Sequence, residues 1–447
     1  MTPLPRHWLR ILLIGSVGVL LIVLLFKHQF LRTSLMSATS SHDVATALLA
    51  KKGLHLQSLE VLQSLWAGYG EICRLEVVTS GTPPNTFPEF SSAGSTDGLS
   101  HKSQSQILKL ITPPPTRASD EGYSRKILSY QVEQYFYSRL APQLPGFVSV
   151  AECLMSINEH YPDGTMTIAM ILTDLRKRFP VAGEKRATLS ATQVHAALDW
   201  LSGFHGFWFS RTGDLETSSL ILPPLEEAQQ SGHDVSSKSV WLNGGYTYLA
   251  TRRREYSSLQ SGKNSEWSEL LARPVQGLNL SIAELAASFL APKLTGHSPI
   301  KDYQTLIHGD VKSENLFTSE SGEEAAFYDF QYTGLGLGVC DLAKLFTCSV
   351  PQNMLHKHHR LPDELNIQEG ERKLLERYWK TLKDVGQPDY DWKTFVFHWE
   401  VALVDWLRFQ ASWGFWGNTE WLESRVRSIV HDREWKERLI RSTSGSA

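Results

Sequence analysis

The first apolar block of the chain, Ile11–Phe26, contains no charge, while Arg6 and Arg10 precede it and Lys27 and Arg32 follow. At about 1.5 Å per residue the block falls a little short of a ~30 Å hydrocarbon core, and Trp8 and Leu9 extend it if Arg10 snorkels. Lys27-His28-Gln29-Phe30 follows where a cleavage site would stand, so 8–27 reads as a single transmembrane anchor rather than a cleaved signal. Residues 28–55 read as a stalk, with a small helix over Val44–Lys52 stopped by Gly53. Beyond them the apolar runs become short. Leu59–Val78 holds two runs around Ala67-Gly68-Tyr69-Gly70, a strand–turn–strand pattern. Gln106–Ile111 and Thr167–Leu172 predict further strands. The Ser-, Gly- and Pro-rich residues 79–105 between them predict a disordered insertion.

Helical spacing takes over later. Val132, Tyr135, Phe136 and Leu140 share one face of Ser129–Leu140. Ser190-x-x-Gln193 and Ser281-x-x-Glu284 are capping boxes, the first opening a stripe of Val194, Ala197, Leu198, Leu201 and Phe204. His195 and His205 lie on or near that stripe and receive no role. Thr212–Lys238 is polar and broken by Pro223-Pro224, as a loop insertion would be. Ile367–Arg441 is helical by pattern, with Trp392, Trp399, Trp406 and Trp413 spaced every seven residues. Such a stripe predicts core. The alternative is an acceptor pocket lined by aromatics, with Glu400 or Asp405 supplying charge. Strands first and helices afterwards give an α+β chain.

Composition narrows the function. Hydrophobic residues make up 42% and charged residues 20%, which predicts a packed core. A net charge of −3 makes no case for nucleic acid, and Arg252-Arg253-Arg254, followed by Glu255, reads as a solvated face. Four scattered cysteines without a C-x-x-C pair indicate neither a zinc site nor a disulfide framework. Cys340 and Cys348 read as small buried residues around one helix. The sequon Asn279-Leu280-Ser281 is a match expected by chance.

The chemistry concentrates in Leu306–Phe346. Leu306-Ile307 runs into His308-Gly309-Asp310, Asn315 follows, and Ala325–Tyr328 ends in Asp329. Two strands that each deliver a carboxylate, with an amide between, suit Mg²⁺ and a transferring phosphoryl group. The rival is a pair of buried strands whose carboxylates cap turns.

HGDVKSEN followed by YDFQ and DLAKLF resembles the aminoglycoside phosphotransferase and choline kinase superfamily, and within it the ecdysteroid-kinase-like small-molecule kinases. The resemblance implies a two-lobed protein-kinase-like fold, with an N-terminal lobe over 56–172 and a C-terminal lobe over 173–441 whose catalytic loop spans 306–346. It implies ATP and Mg²⁺ as cofactors, Asp310 as catalytic base, Asn315 and Asp329 as metal ligands, and Asp341 as a brace. Gly68 and Gly70 would cover the nucleotide phosphates, although a plain hairpin turn explains them equally. Lys109 would meet the α/β-phosphates, with Glu133 as its partner and Glu152 as the fallback; solvated faces are the alternatives for both. Asp174 lies where the chain would cross between lobes and its backbone groups would meet the adenine, an ordinary strand end being the alternative. Lys312 would touch the γ-phosphate, or be solvated. Gln331 stands where protein kinases place Gly, and no Ala-Pro-Glu element follows.

The expected activity is transfer of phosphate from ATP to a hydroxyl of a small molecule or lipid precursor, on a single-pass membrane protein whose catalytic domain leans to the cytosol. A protein or glycan kinase and a membrane-tethered pseudokinase are the rivals.

Overall fold

The computed structural model describes residues 40–65, 68–79, 103–114, 121–161, 165–229, 238–262, 265–295, 298–386 and 389–444. The anchor assigned to 8–27 and most of the insertion assigned to 79–105 lie outside them. Among the described residues no helix is long and apolar enough to cross a membrane. The chain divides into two compact units, Met1–Ser64 with Glu71–Leu110, and Leu65–Gly70 with Ile111–Ala447.

In the first unit, α1 (Ser41–Ala50) is capped by Ser40, whose side chain accepts the Asp43 N–H. It buries Val44, Ala45, Leu48 and Leu49. Gly53, with φ +66°, turns the chain into β1 (Leu54–Ser64). Residues 41–55 of the expected stalk are therefore folded as this helix, its turn and the start of β1. β1 pairs antiparallel with β2 (Gly70–Thr79), running from Leu54 opposite Thr79 to Ser64 opposite Glu71. Cys73, Leu75 and Val77 are buried on alternate positions of β2, the period-two signature of a half-covered strand. β3 (Gln104–Ile111) lies beside β2 and carries Lys109, which is buried.

In the second unit, α2 (Glu121–Tyr135) widens into a π-helical turn over Phe136–Leu140. β4 (Cys153–His160) pairs antiparallel with β5 (Met166–Thr173). β5 is buried up to Leu172, which accounts for the apolar run Ile168–Leu172. After β6 (Val181–Ala182) comes α3 (Ala191–Phe209), opened by the predicted capping box with both of its hydrogen bonds formed. α4 (Arg253–Ser261) and α5 (Ile282–Leu290, with the second capping box) follow.

Four short strands then shape the centre. β7 (Thr305–Ile307) pairs with β10 (Gly334–Gly336). β8 (Leu316–Thr318) pairs with both β6 and β9 (Ala325–Phe327). The rest is helical: α6 (Gly338–Cys348), α7 (Glu369–Val385), α8 (Trp392–Trp413), α9 (Thr419–His431) and α10 (Arg433–Ser444). All four periodic tryptophans fall on α8, which packs against α4, α5, α6 and α9. Trp399 is core: its indole N–H donates to Glu371 at 2.9 Å, and Glu371 grips Arg425 Nε with both oxygens at 3.1 and 3.0 Å. Strands of a small sheet followed by helices agree with the expected α+β class.

Candidate active site

β7 is fully buried and delivers the chain into a bend at Gly309, where φ is +87°. A Cβ there would stand 2.2 Å from the Tyr332 carbonyl oxygen, so only glycine fits. Asp341, in the first turn of α6, fixes this bend by accepting the His308 N–H at 2.7 Å and the Gly309 N–H at 2.9 Å. His205 of α3 reaches the same carboxylate at 3.2 Å, and its other ring nitrogen meets the Tyr378 hydroxyl at 2.8 Å. Lys344, almost one helical turn after Asp341, donates to the Gly309 carbonyl. Burial works against the Asp341 charge, but the His205 hydrogen bond and the Lys344 ammonium outweigh it and hold the carboxyl below its ordinary value.

His308 is a strut. Its Nδ1 accepts the Asp310 N–H at 3.2 Å, so the proton sits on Nε2, 2.9 Å from the Tyr328 carbonyl it donates to. Burial lowers its basicity and keeps the ring neutral. The Asp310 loop and the strand end before Asp329 are thereby tied through one side chain.

Asn315 stands against Asp310, and Asp329 directly follows the residue that bonds to the Asn315 backbone. Asn315 Nδ2 donates to the Asp310 carbonyl at 2.8 Å and to its carboxylate at 3.1 Å. That leaves Asn315 Oδ1 as the amide's remaining acceptor. The Tyr328 N–H donates to the Asn315 carbonyl at 3.0 Å, and Asp329 is the next residue. Asp329 has φ +66°, a left-handed conformation that side chains other than glycine rarely adopt and that concentrates at functional sites. Gln331 Nε2 donates to its carboxylate at 2.6 Å. Gln331 is itself held by the Ser129 hydroxyl of α2 at 3.1 Å and by the Trp241 indole at 2.9 Å. Phe330, between them, stacks on Phe136 with ring centroids 3.7 Å apart. Among the described residues no group of three or more His, Cys, Asp and Glu side chains could hold a metal by itself. An acid and an amide side by side fit a hard cation that keeps its other positions for phosphate and water.

Lys312 is not a plain solvated lysine. It bridges Asp310 at 3.1 Å and Glu314 at 3.2 Å. Burial opposes its charge, but the two carboxylates prevail and raise its pKa above the usual value. Glu133 is buried on α2. Gly68 and Gly70 have φ +73° and +135°, and the turn closes through the Leu65 N–H on the Gly70 carbonyl at 2.7 Å, so the hairpin geometry alone accounts for both glycines. Asp174 caps the short turn Leu175–Lys177, its carboxylate accepting the Arg176 N–H at 3.0 Å.

A cavity of about 210 Å³ opens beside Asp310. Tyr246, Trp406, Trp413 and Trp416 line it, so part of the tryptophan stripe does face a pocket. Its charges differ from those expected. Glu400 sits instead 3.6 Å from Arg425, and Asp405 pairs with Arg408 at 2.7 Å. Arg252 is also not solvated: it is buried, donates to the Tyr246 carbonyl at 2.6 Å and lies 5.0 Å from the Trp413 ring. Cys348, at the end of α6, lines the same cavity rather than the helix core. Sequence reasoning missed His205 and Lys344. Both lie on helices, and only their folding onto Asp341 and Gly309 marks them.

The model of the ecdysteroid kinase-like family matches residues 93–362. No curated protein matches the sequence. Solved structures similar to this chain include an amicoumacin kinase in complex with AMP-PNP, Ca²⁺ and amicoumacin, at 15% identity and TM-score 0.39, covering 91% of this chain and 93% of that one. They also include the macrolide 2'-phosphotransferase apoenzyme of Brachybacterium faecium, at 12%, TM-score 0.39, 91% and 98%. The choline kinase of Cryptosporidium parvum follows at 11%, TM-score 0.39, 87% and 89%. The chain belongs to the ecdysteroid kinase-like family.

Proposed function

We propose that the protein transfers the γ-phosphoryl group of ATP to a hydroxyl of a small molecule or lipid precursor, tethered to a membrane through residues 8–27. One observation carries this reading: Asp310 and Asn315 are in contact at 3.1 Å, and Asp329 stands one residue beyond the Asn315–Tyr328 ladder bond. In this reading Asp310 orients the acceptor hydroxyl and takes its proton as the phosphoryl group departs. Its loop cannot drift, because both N–H groups preceding it end on Asp341. Lys312, already paired with Asp310 and Glu314, would meet the transferred group. Asn315 Oδ1 and the Asp329 carboxylate would hold Mg²⁺, which when bound neutralises phosphate oxygens. Lys109, Glu133, Gly68, Gly70 and Asp174 keep the nucleotide-binding roles that the family resemblance implies, within lobes of 56–172 and 173–441.

The test uses the full-length protein, γ-labelled ATP, Mg²⁺ and a metabolite extract. Label entering low-molecular-weight material, and lost in Asp310→Asn, is the expected result. Label entering protein instead would favour a protein kinase. ATP binding with no transfer to any acceptor would favour a pseudokinase, and both results overturn the proposal.

A further inference from the structure

The cavity beside Asp310 carries more positive than negative charge. Lys185, Arg186, Lys312 and Lys344 line it, against the carboxylates Asp310 and Glu314. Two of these cations are engaged internally: Lys312 bridges both carboxylates, and Lys344 is bonded to Gly309. Lys185 and Arg186 are exposed, and neither side chain makes an ion pair with another of the described residues.

Arg186 is held there deliberately. Besides Asp329 it is the one non-glycine residue with positive φ among the described residues, at +60°. Its backbone N–H is pinned to the Glu314 carboxylate at 3.0 Å. A left-handed arginine carries a strain of order 1 kcal/mol, and such strain gathers at ligand clamps. Glu314, one residue before Asn315, thus couples the rim to the catalytic loop.

The aromatic wall is poorly suited to a cationic guest. The face of Tyr246 already has Lys344 Nζ at 5.6 Å and the Arg252 guanidinium at 5.6 Å, and Trp413 has Arg252 at 5.0 Å. A quaternary ammonium would meet like charges on two of its four aromatic walls. Trp406 and Trp416 stand edge to face, their ring centroids 5.5 Å apart, and offer apolar surface to a flat ring.

We infer that the preferred acceptor is an alcohol on a flat ring frame that also bears an anionic group, which Lys185 and Arg186 bind at the cavity rim while the hydroxyl reaches Asp310. This rests on the kinase reading above and names its substrate class.

The probes are three matched alcohols: 4-(hydroxymethyl)benzoate, 4-(hydroxymethyl)benzamide and 4-(hydroxymethyl)phenyl-trimethylammonium. Binding to the full-length protein is measured by calorimetry, and transfer from ATP is measured separately. The expected order is carboxylate, then amide, then ammonium. Lys185→Gln and Arg186→Gln should each weaken the carboxylate roughly three- to tenfold more than the amide, in KM rather than kcat. Lys185 is not strained, so its variant tests the rim even if Arg186→Gln folds poorly. A preference for the ammonium compound, equal losses for carboxylate and amide, or no binding of any probe overturns the inference. Ordered binding without transfer upholds it and counts against the kinase reading alone.

Discussion

His205 and Asp341, 136 positions apart in the chain, share a hydrogen bond of 3.2 Å with both side chains shut off from solvent. The loop that carries Asp310 hangs from this pair, because the same carboxylate holds the N–H groups of His308 and Gly309. Removing one member of a buried pair leaves the other uncompensated, which costs about 3–5 kcal/mol. Asp341→Asn should therefore lower the free energy of unfolding, read from denaturant titration, by that order and abolish transfer together. His205→Ala, which strands Asp341 and Tyr378 but keeps the two backbone bonds, should cost about 1–3 kcal/mol and retain part of the activity.

Asp310→Asn should separate chemistry from folding. The side chain keeps its size, and Lys312 keeps Glu314 as a partner at 3.2 Å. The rate should fall by roughly two to four orders of magnitude, the usual contribution of a general base, with the thermal midpoint changed little. A variant with full activity would remove Asp310 from the mechanism.

Gln331→Ala tests how the Asp329 carboxylate is aimed. Gln331 holds it at 2.6 Å, and residues that orient a metal ligand commonly contribute about 10–100-fold in metal affinity. The Mg²⁺ concentration for half-maximal activity should rise by that order, while ATP-independent stability stays near wild type. An unchanged Mg²⁺ titration would show that the Gln331 side chain matters only for its bond to Ser129.

How far the sequence reveals this site depends on what each residue has to do. Asp310 and Asp329 stand out in the sequence because each follows a short apolar strand, and Asn315 and Asp341 lie at short fixed offsets from them, in a turn and at the start of α6. His205, Tyr246 and Lys344 do not, since their partners are chosen by tertiary packing and their local pattern is that of any buried helix face or loop. The tryptophan repeat was ambiguous for a physical reason. A seven-residue spacing on α8 lets Trp399 enter the core while Trp406 and Trp413 look into the cavity, so the core and pocket expectations each describe part of one helix. Arg252-Arg253-Arg254 misled because adjacency in sequence hides that its first member turns inward under Tyr246.

Glu400 gives a pH signature away from the reacting atoms. Burial lifts its carboxyl from an ordinary value near 4.5 to about 7, against the pull of Arg425. The folded protein then holds a proton that the unfolded chain has released. The stabilisation is present below about pH 4.5 and is lost as pH rises through 7. Glu400→Gln should flatten the stability curve between those values, by roughly 1–3 kcal/mol relative to wild type. Parallel curves for the two proteins would refute the shift.

The thiol of Cys348 opens onto the same cavity as Asp310 and receives the Trp416 indole N–H at 3.2 Å. Burial pushes it up to about 12, so almost none of it is thiolate at neutral pH. Since only the thiolate attacks electrophiles and peroxides, this sulfur is chemically quiet despite its position. Maleimides and mild oxidants should pass the pocket by, and turnover should be indifferent to whether the surrounding compartment is reducing or oxidising.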